Sequence, residues 1–195
     1  MLTGPVPDLP PPLLASASPR RRELLAGLGL EFAIASADLD ERALPGETPA
    51  ALVARLAASK ARALEHPDAL VIAADTVVVL GDSVLGKPQD EAENRDFLRR
   101  LAGREHEVLT GHALLYRGRL EGAVRRTVVR FRDLGEDEIM RYVASGEGLD
   151  KAGGYAIQGR GGALVKHLEG CYFNVVGLSL ATVVELAARL GVRLV

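Results

Sequence analysis

The chain has no tryptophan, one cysteine, and four tyrosines and four phenylalanines in 195 residues. With so few rings, the core has to be built from Leu, Val and Ala packed between helices and a sheet. A single cysteine, Cys171, excludes a disulfide within the chain and a cysteine-rich zinc site. The histidines at 66, 106, 112 and 167 lack the spacing of a zinc-binding helix. Walker, GxSxG and GxGxxG motifs are absent as well. No charge of one sign dominates. The formal net charge is −2, so any affinity for phosphate must come from a few placed cations, and a nucleic-acid polymer is not an expected partner. No apolar run approaches the roughly 20 residues that span a bilayer, so no membrane is expected either. Residues 1–12 hold half of the prolines and no basic residue. They read as a Pro-rich flexible leader rather than a signal peptide, and the expected location is cytoplasmic.

What is present alternates between helix and strand patterns. Leu13–Ser16 reads as a short buried strand, 19–28 as a helix, and 32–35 as a second strand. A helix follows Thr48-Pro49 to about Leu64, with Leu52, Val53, Leu56 and Ala57 on its apolar face. Ala69–Ala74 is a continuous apolar run. It resumes after Asp75-Thr76 as Val77–Leu80, then turns at Gly81-Asp82 into a return strand. A helix over 91–102 has Asp90 at its N-cap and Glu93 in capping-box position. Strands are expected at 108–116, 127–131, 164–165 and 172–176, and helices at 136–144 and 180–190. The pattern predicts an α/β protein with a mixed sheet, as one domain over 13–195 behind the leader.

Several positions break the pattern in ways that suggest chemistry. Ser18 and Pro19 make a good helix start, yet Arg20, Arg21 and Arg22 fill a first turn that prefers acids. Two readings stay open there: a solvated basic turn, or a turn awaiting an anion such as phosphate. Asp75 interrupts an apolar stretch. An unpaired buried carboxylate is too costly, so it must lie exposed at a strand end, be paired, or bind metal. Lys60 falls on the apolar stripe of its helix, where a lysine ordinarily snorkels to water. Lys87, in Gly86-Lys87-Pro88, taken alone reads as a surface residue. Asp38, Asp40 and Glu41 form an acidic loop that could offer oxygens to a hard cation. The glycine-rich run 152–159 contains Gln158 and permits close backbone approach. Cations, carboxylates and an amide together are the inventory for splitting a nucleotide phosphoanhydride.

The same residues resemble a known family. Ser16-Ala17-Ser18-Pro19-Arg20-Arg21, Ser59-Lys60-Ala61, Ala74-Asp75-Thr76-Val77-Val78, Gly86-Lys87-Pro88, and Asp150-Lys151-Ala152-Gly153 through Tyr155–Gly159 are similar, in order, to the Maf nucleoside triphosphate pyrophosphatases. The resemblance covers about residues 13–191. It implies an elongated mixed sheet flanked by helices in two lobes with a cleft, like the inosine triphosphate pyrophosphatases. It implies hydrolysis between the α and β phosphates of a nucleoside triphosphate, a divalent cation (Mg2+ or Mn2+), and a cytoplasmic homodimer. Asp75 takes the role of general base. The resemblance places binding roles on Ser16, Arg20, Arg21, Glu41, Lys60, Lys87 and Gln158; Ser18 and Thr76 are expected to bind substrate as well, and the divalent cation is expected on Glu41 or Asp75. Arg20, Thr76 and Gln158 match the dTTP/UTP branch; the 7-methyl-GTP branch carries tryptophan, glutamine and glutamate there. A free aspartate, with a pKa of about 3.9, is a weak base unless a metal acidifies the water or the site raises that value. The cations are expected to serve binding with little part in stability. The alternative function is a non-catalytic nucleotide-binding regulator of cell division.

Overall fold

Residues 10–195 are described by the computed structural model. The elements run β1 (Pro12–Ala15), α1 (Pro19–Ala26), β2 (Ala33–Ala35), α2 (Pro49–Ala63), β3 (Leu70–Leu80), β4 (Ser83–Leu85), α3 (Glu91–Leu101), β5 (Glu105–Tyr116), β6 (Arg119–Phe131) and α4 (Glu136–Val143). Two 3-10 turns at Ala152–Gly154 and Gly159–Leu164 lead to β7 (Val165–Glu169), α5 (Tyr172–Val176) and α6 (Leu180–Arg189). The strands form one mixed sheet in the order β2-β1-β3-β5-β6-β7, with β4 beside β3, and helices flank it. β1 runs parallel to both β2 and β3, whereas β3–β4 and β6–β7 are antiparallel.

Contacts divide the chain into two compact units. The first contains residues through Asp75, Thr110–Arg125 and Gly177–Val195; the second contains Thr76–Leu109 and Arg126–Val176. Strands β3, β5 and β6 contribute residues to both. In the first unit, Ala15, Ala57, Ala61, Val71, Ala73, Ala113 and Leu115 form an aliphatic cluster of mostly small residues. Small side chains let α2 lie close on the sheet. At Gly111 of β5 an added Cβ would meet the Val53 carbonyl oxygen at 2.1 Å, so only glycine fits. The second unit packs Phe97, Leu98, Leu101, Phe131, Tyr142 and Tyr155 with aliphatic neighbours.

Several expectations change. The proposed leader 1–12 lies mostly outside the described residues, but its last part belongs to the sheet. Pro12 begins β1, and the Pro11 carbonyl accepts the Leu70 N–H at 3.2 Å. Proline is tolerated at the first residue of a strand, where its missing donor costs little. Strand β3 does not end at Asp75; it continues unbroken for 11 residues. The weak segment before Thr127 is a strand too, since β6 runs from Arg119. Its first half has a mostly exposed pattern, which hides it from a search for apolar runs. Residues 172–176 form a helix, α5, not a strand. A five-residue apolar run does not distinguish the two by periodicity. Asn174 Nδ2 fixes that helix by donating to the Val108 carbonyl and Thr127 Oγ1, both at 3.1 Å.

Two histidines are buried in the core. In the second unit, His106 Nε2 lies 2.7 Å from the Tyr155 hydroxyl, and the His106 ring meets Phe131 and Tyr155 edge to face. In the first unit, His112 Nε2 accepts the Ser179 N–H at 2.9 Å. Burial pushes each histidine down to about 4. Unfolded histidine titrates near 6.5, so between about 6.5 and 4 the unfolded chain binds more protons than the folded one. Their contribution to stability is therefore complete above pH 6.5 and is lost as pH falls toward 4. Thermal melts between pH 7.5 and 4.5 are expected to show Tm falling from about pH 6.5 downward. A flat Tm to pH 5 would contradict neutral burial of both rings.

Candidate active site

In the first unit β1 lies between β2 and β3: the chain passes from β1 through α1 to β2 on one side, then back through α2 to β3 on the other, so the direction of the connections reverses there. In such sheets the carboxyl ends of the strands on either side of that reversal are where ligands bind. The register pairs Leu14 with Ile72. Continuing it places Ser16 level with Ala74, and Asp75 one residue beyond.

Directly after β1, Ser18 caps α1. Its Oγ accepts the Arg21 N–H at 3.5 Å, and Pro19 opens the helix. The first turn contains no acidic residue. Arg21 is not a solvated surface arginine. Its Nε donates to the Gly177 carbonyl at 2.8 Å, and its Nη1 donates to Ser16 Oγ at 3.3 Å. Ser16 Oγ also accepts the Ser18 N–H at 3.2 Å. Burial lowers the Arg21 pKa, Asp75 and Glu41 oppose that shift, and Arg20 adds to it. Two guanidinium groups and two carboxylates therefore lie within electrostatic reach of one another at a helix N-terminus.

Asp75 is 8 % exposed in the middle of β3, and it is paired. Lys60 Nζ lies 2.6 Å from Asp75 Oδ1 and 2.5 Å from Glu41 Oε1. Lys60 thus reaches a carboxylate in the sheet rather than snorkelling to water. The apolar stripe of α2 aims the ammonium: Val53, Leu56 and Ala57 are buried, and α2 presses on Gly111 two turns before Lys60. Lys60 takes Oδ1 of the Asp75 carboxylate.

The loop that carries Glu41 is held by residues absent from the sequence argument. Arg55 makes a two-pronged bond to Glu47, with distances of 2.6 and 2.7 Å, and donates to the Arg42 carbonyl at 3.0 Å. Arg55 also holds the Glu47 carboxyl down at about 2. Glu47 in turn accepts the Leu44 N–H at 3.0 Å. No sequence spacing links Glu47 to Arg55, because their meeting depends on how the loop folds back on α2. Asp40 pairs with Arg42 at 2.6 Å, while Glu41 of the same loop pairs with Lys60.

The remaining candidates, Thr76, Lys87 and Gln158, belong to the second unit. Thr76 follows Asp75 in β3. Lys87 is exposed, on a segment tied to the glycine-rich run by the Gly153 N–H, which donates to the Gly86 carbonyl at 3.0 Å. Gln158 is half-buried and extended, just before the second 3-10 turn.

As for a metal, among the described residues no three His, Cys, Asp or Glu side chains are grouped to hold an ion. A complete protein cage is therefore not what these residues offer. Glu41 and Asp75 are the two carboxylates gathered here, with the Lys60 ammonium bonded to both; Mg2+ sites commonly use one or two carboxylates together with phosphate oxygens and water. No described helix is long and apolar enough to cross a membrane.

A family described as Maf-like protein matches residues 12–190. A dTTP/UTP pyrophosphatase of Anaeromyxobacter dehalogenans is 54% identical over 183 residues, covering 92% of this chain and 93% of that protein. Proteins with the same name from Myxococcus xanthus and Symbiobacterium thermophilum are 53% and 49% identical. They cover 93% and 92% of this chain, and 93% of each relative.

The Lys60–Asp75 pair gives Lys60 a structural contact beside the binding role expected of it. Removing one partner of a buried pair strands the other charge, at a cost of about 3 kcal/mol. Lys60→Met is expected to lose about that much in urea unfolding, and Lys60→Met with Asp75→Asn to recover most of it. A Lys60→Met protein as stable as the parent would show that the pair behaves as a surface contact.

Proposed function

The chain belongs to the Maf family, and we propose that it hydrolyses the α–β phosphoanhydride of dTTP and UTP, giving the nucleoside monophosphate and pyrophosphate. One observation carries this reading: a buried strand carboxylate, Asp75, is held by Lys60 within reach of the arginine-rich N-terminus of α1. The arginines supply charge for the triphosphate. The carboxylate supplies a place for a water and its proton. The names of the similar proteins supply the substrate class.

In the proposed reaction, Arg20, Arg21, Lys60 and Lys87 bind the triphosphate and offset its charge, with Ser16 and Ser18 ordering the first turn of α1. Asp75 orients a water and accepts its proton as the water oxygen bonds to the α phosphorus. The bond from that phosphorus to the α–β bridging oxygen breaks, and pyrophosphate leaves with the electron pair. Lys60 fixes the direction of the carboxylate, so the water meets one oxygen in one place. A divalent cation, Mg2+ or Mn2+, would be held by Glu41 and Asp75 and would polarise phosphate oxygens. A pyrimidine presents a carbonyl–NH–carbonyl edge, which the Gln158 amide can meet with donor and acceptor together. Arg20 and Thr76 complete the proposed specificity set, and the working form is proposed as a cytoplasmic homodimer. The names of the similar proteins do not favour a non-catalytic regulator.

Purified protein assayed with dTTP, UTP, ATP, GTP and 7-methyl-GTP, with and without Mg2+ or Mn2+, is expected to release pyrophosphate fastest from the first two. Preference for a purine would overturn the base assignment, and release of single phosphate would overturn the bond assignment. Asp75→Asn is expected to lower kcat by about 10²–10⁴-fold while the protein stays folded. Near-normal turnover in that variant would remove Asp75 from the chemistry.

A further inference from the structure

Gln158 lies on a segment whose flanks are both fastened to one short stretch of chain at the end of α4. On its N-terminal side, the Ala156 N–H donates to the Tyr142 hydroxyl at 3.0 Å. On its C-terminal side, the Glu147 carboxylate accepts two successive backbone N–H groups, Arg160 at 3.0 Å and Gly161 at 2.8 Å. The two anchors are coupled electrostatically, because the Glu147 carboxylate acts on the Tyr142 hydroxyl. Burial, opposed by the Ala156 bond and reinforced by Glu147, raises the Tyr142 pKa, which keeps the hydroxyl protonated and able to donate. Glu147 is itself positioned, since its N–H donates to Ser145 Oγ at 3.3 Å, and Ser145 Oγ donates to the Tyr142 carbonyl.

The chain between the anchors is shaped to admit this grip. Gly159 has φ +66°, and a Cβ there would meet Glu147 Oε1 at 2.3 Å. Glycine at this position allows both the left-handed backbone and the close approach of the carboxylate. The 3-10 turn Gly159–Leu164 has no side-chain cap of its own at Gln158, and Glu147 supplies the acceptor for its first N–H groups from elsewhere in the chain.

We propose that Tyr142 and Glu147 are positioning residues for base discrimination: they hold the backbone on both sides of Gln158 so that its amide is presented in one orientation. This rests on the reading of Gln158 as the residue that meets the base. Selectivity through an amide depends on direction, because a rotated glutamine meets a purine edge as well as a pyrimidine edge. A loosened loop therefore harms discrimination more than it harms the chemistry, whose groups lie on other elements.

The test uses the full chain with Glu147→Ala, Glu147→Gln and Tyr142→Phe, assayed by pyrophosphate release from dTTP, UTP and GTP, with thermal melts on the same samples. In Glu147→Ala, KM for dTTP and UTP is expected to rise about tenfold with kcat within about twofold. The kcat/KM for GTP stays within about twofold, so the pyrimidine-to-purine ratio collapses. Glu147→Gln keeps one carbonyl oxygen as acceptor and restores part of the ratio. Tyr142→Phe loses one hydroxyl without changing shape and gives a smaller fall in the same ratio. Should Glu147→Ala not fold, the ratio in Tyr142→Phe decides. An equal fall on all three nucleotides, or an unchanged ratio in folded variants, would overturn the proposal and leave the pyrophosphatase reading in place. Absence of pyrophosphate release from the unaltered protein would overturn that reading and this one together.

Discussion

A carboxylate in the middle of an 11-residue, largely buried strand is the constraint that shapes the first unit. Burying it without a partner would cost several kcal/mol. The Lys60 ammonium removes that penalty, and reaching Asp75 fixes where α2 must lie. The helix sits so close to the sheet that β5 carries glycine beneath Val53, and the cluster beside it is mostly alanine. The loop before α2 is then fastened by Arg55 and Glu47, which brings Glu41 to the same ammonium. A charge that would disfavour folding if left alone becomes, with its partner, a carboxylate held in one direction.

The arginine turn follows the same logic from the other side. A first helical turn without acids is electrostatically unfavourable, worth roughly 0.3–1 kcal/mol per misplaced charge. The structure does not relieve this by turning Arg21 to water. It brings the guanidinium inward onto the Gly177 carbonyl and Ser16 Oγ. The Gly177–Ser179 segment is itself tied to β5, through the Ser179 N–H and His112 Nε2. A neutral, buried His112 is therefore linked, through two residues of backbone, to the placement of Arg21.

Much of this was legible in the residues, for physical reasons that can be named. The caps at Ser18, Thr48 and Asp90 were visible because a short polar side chain before an apolar period has few other uses, and all three accept the expected N–H. Asp75 stood out because an acid inside an apolar run demands an explanation. Lys60 is visible on its apolar stripe, but its role is not, since a lysine there has an ordinary alternative and its partner lies 15 residues away in another element. Arg55, Glu47, Tyr142 and Glu147 were invisible for the same reason: each acts on a backbone or side chain brought near by tertiary folding. An exposed strand such as Arg119–Arg126 carries little apolar signal, and the five residues of α5 are too few to show a period.

The central claim is that this cluster of cations and carboxylates directs a water at the α phosphorus. Hydrolysis of dTTP in 18O-labelled water, with both products weighed by mass spectrometry, tests it most directly. The account predicts one labelled oxygen in the nucleoside monophosphate and none in pyrophosphate. Label in pyrophosphate, with an unlabelled nucleoside monophosphate, would place the attack at the β phosphorus and contradict it.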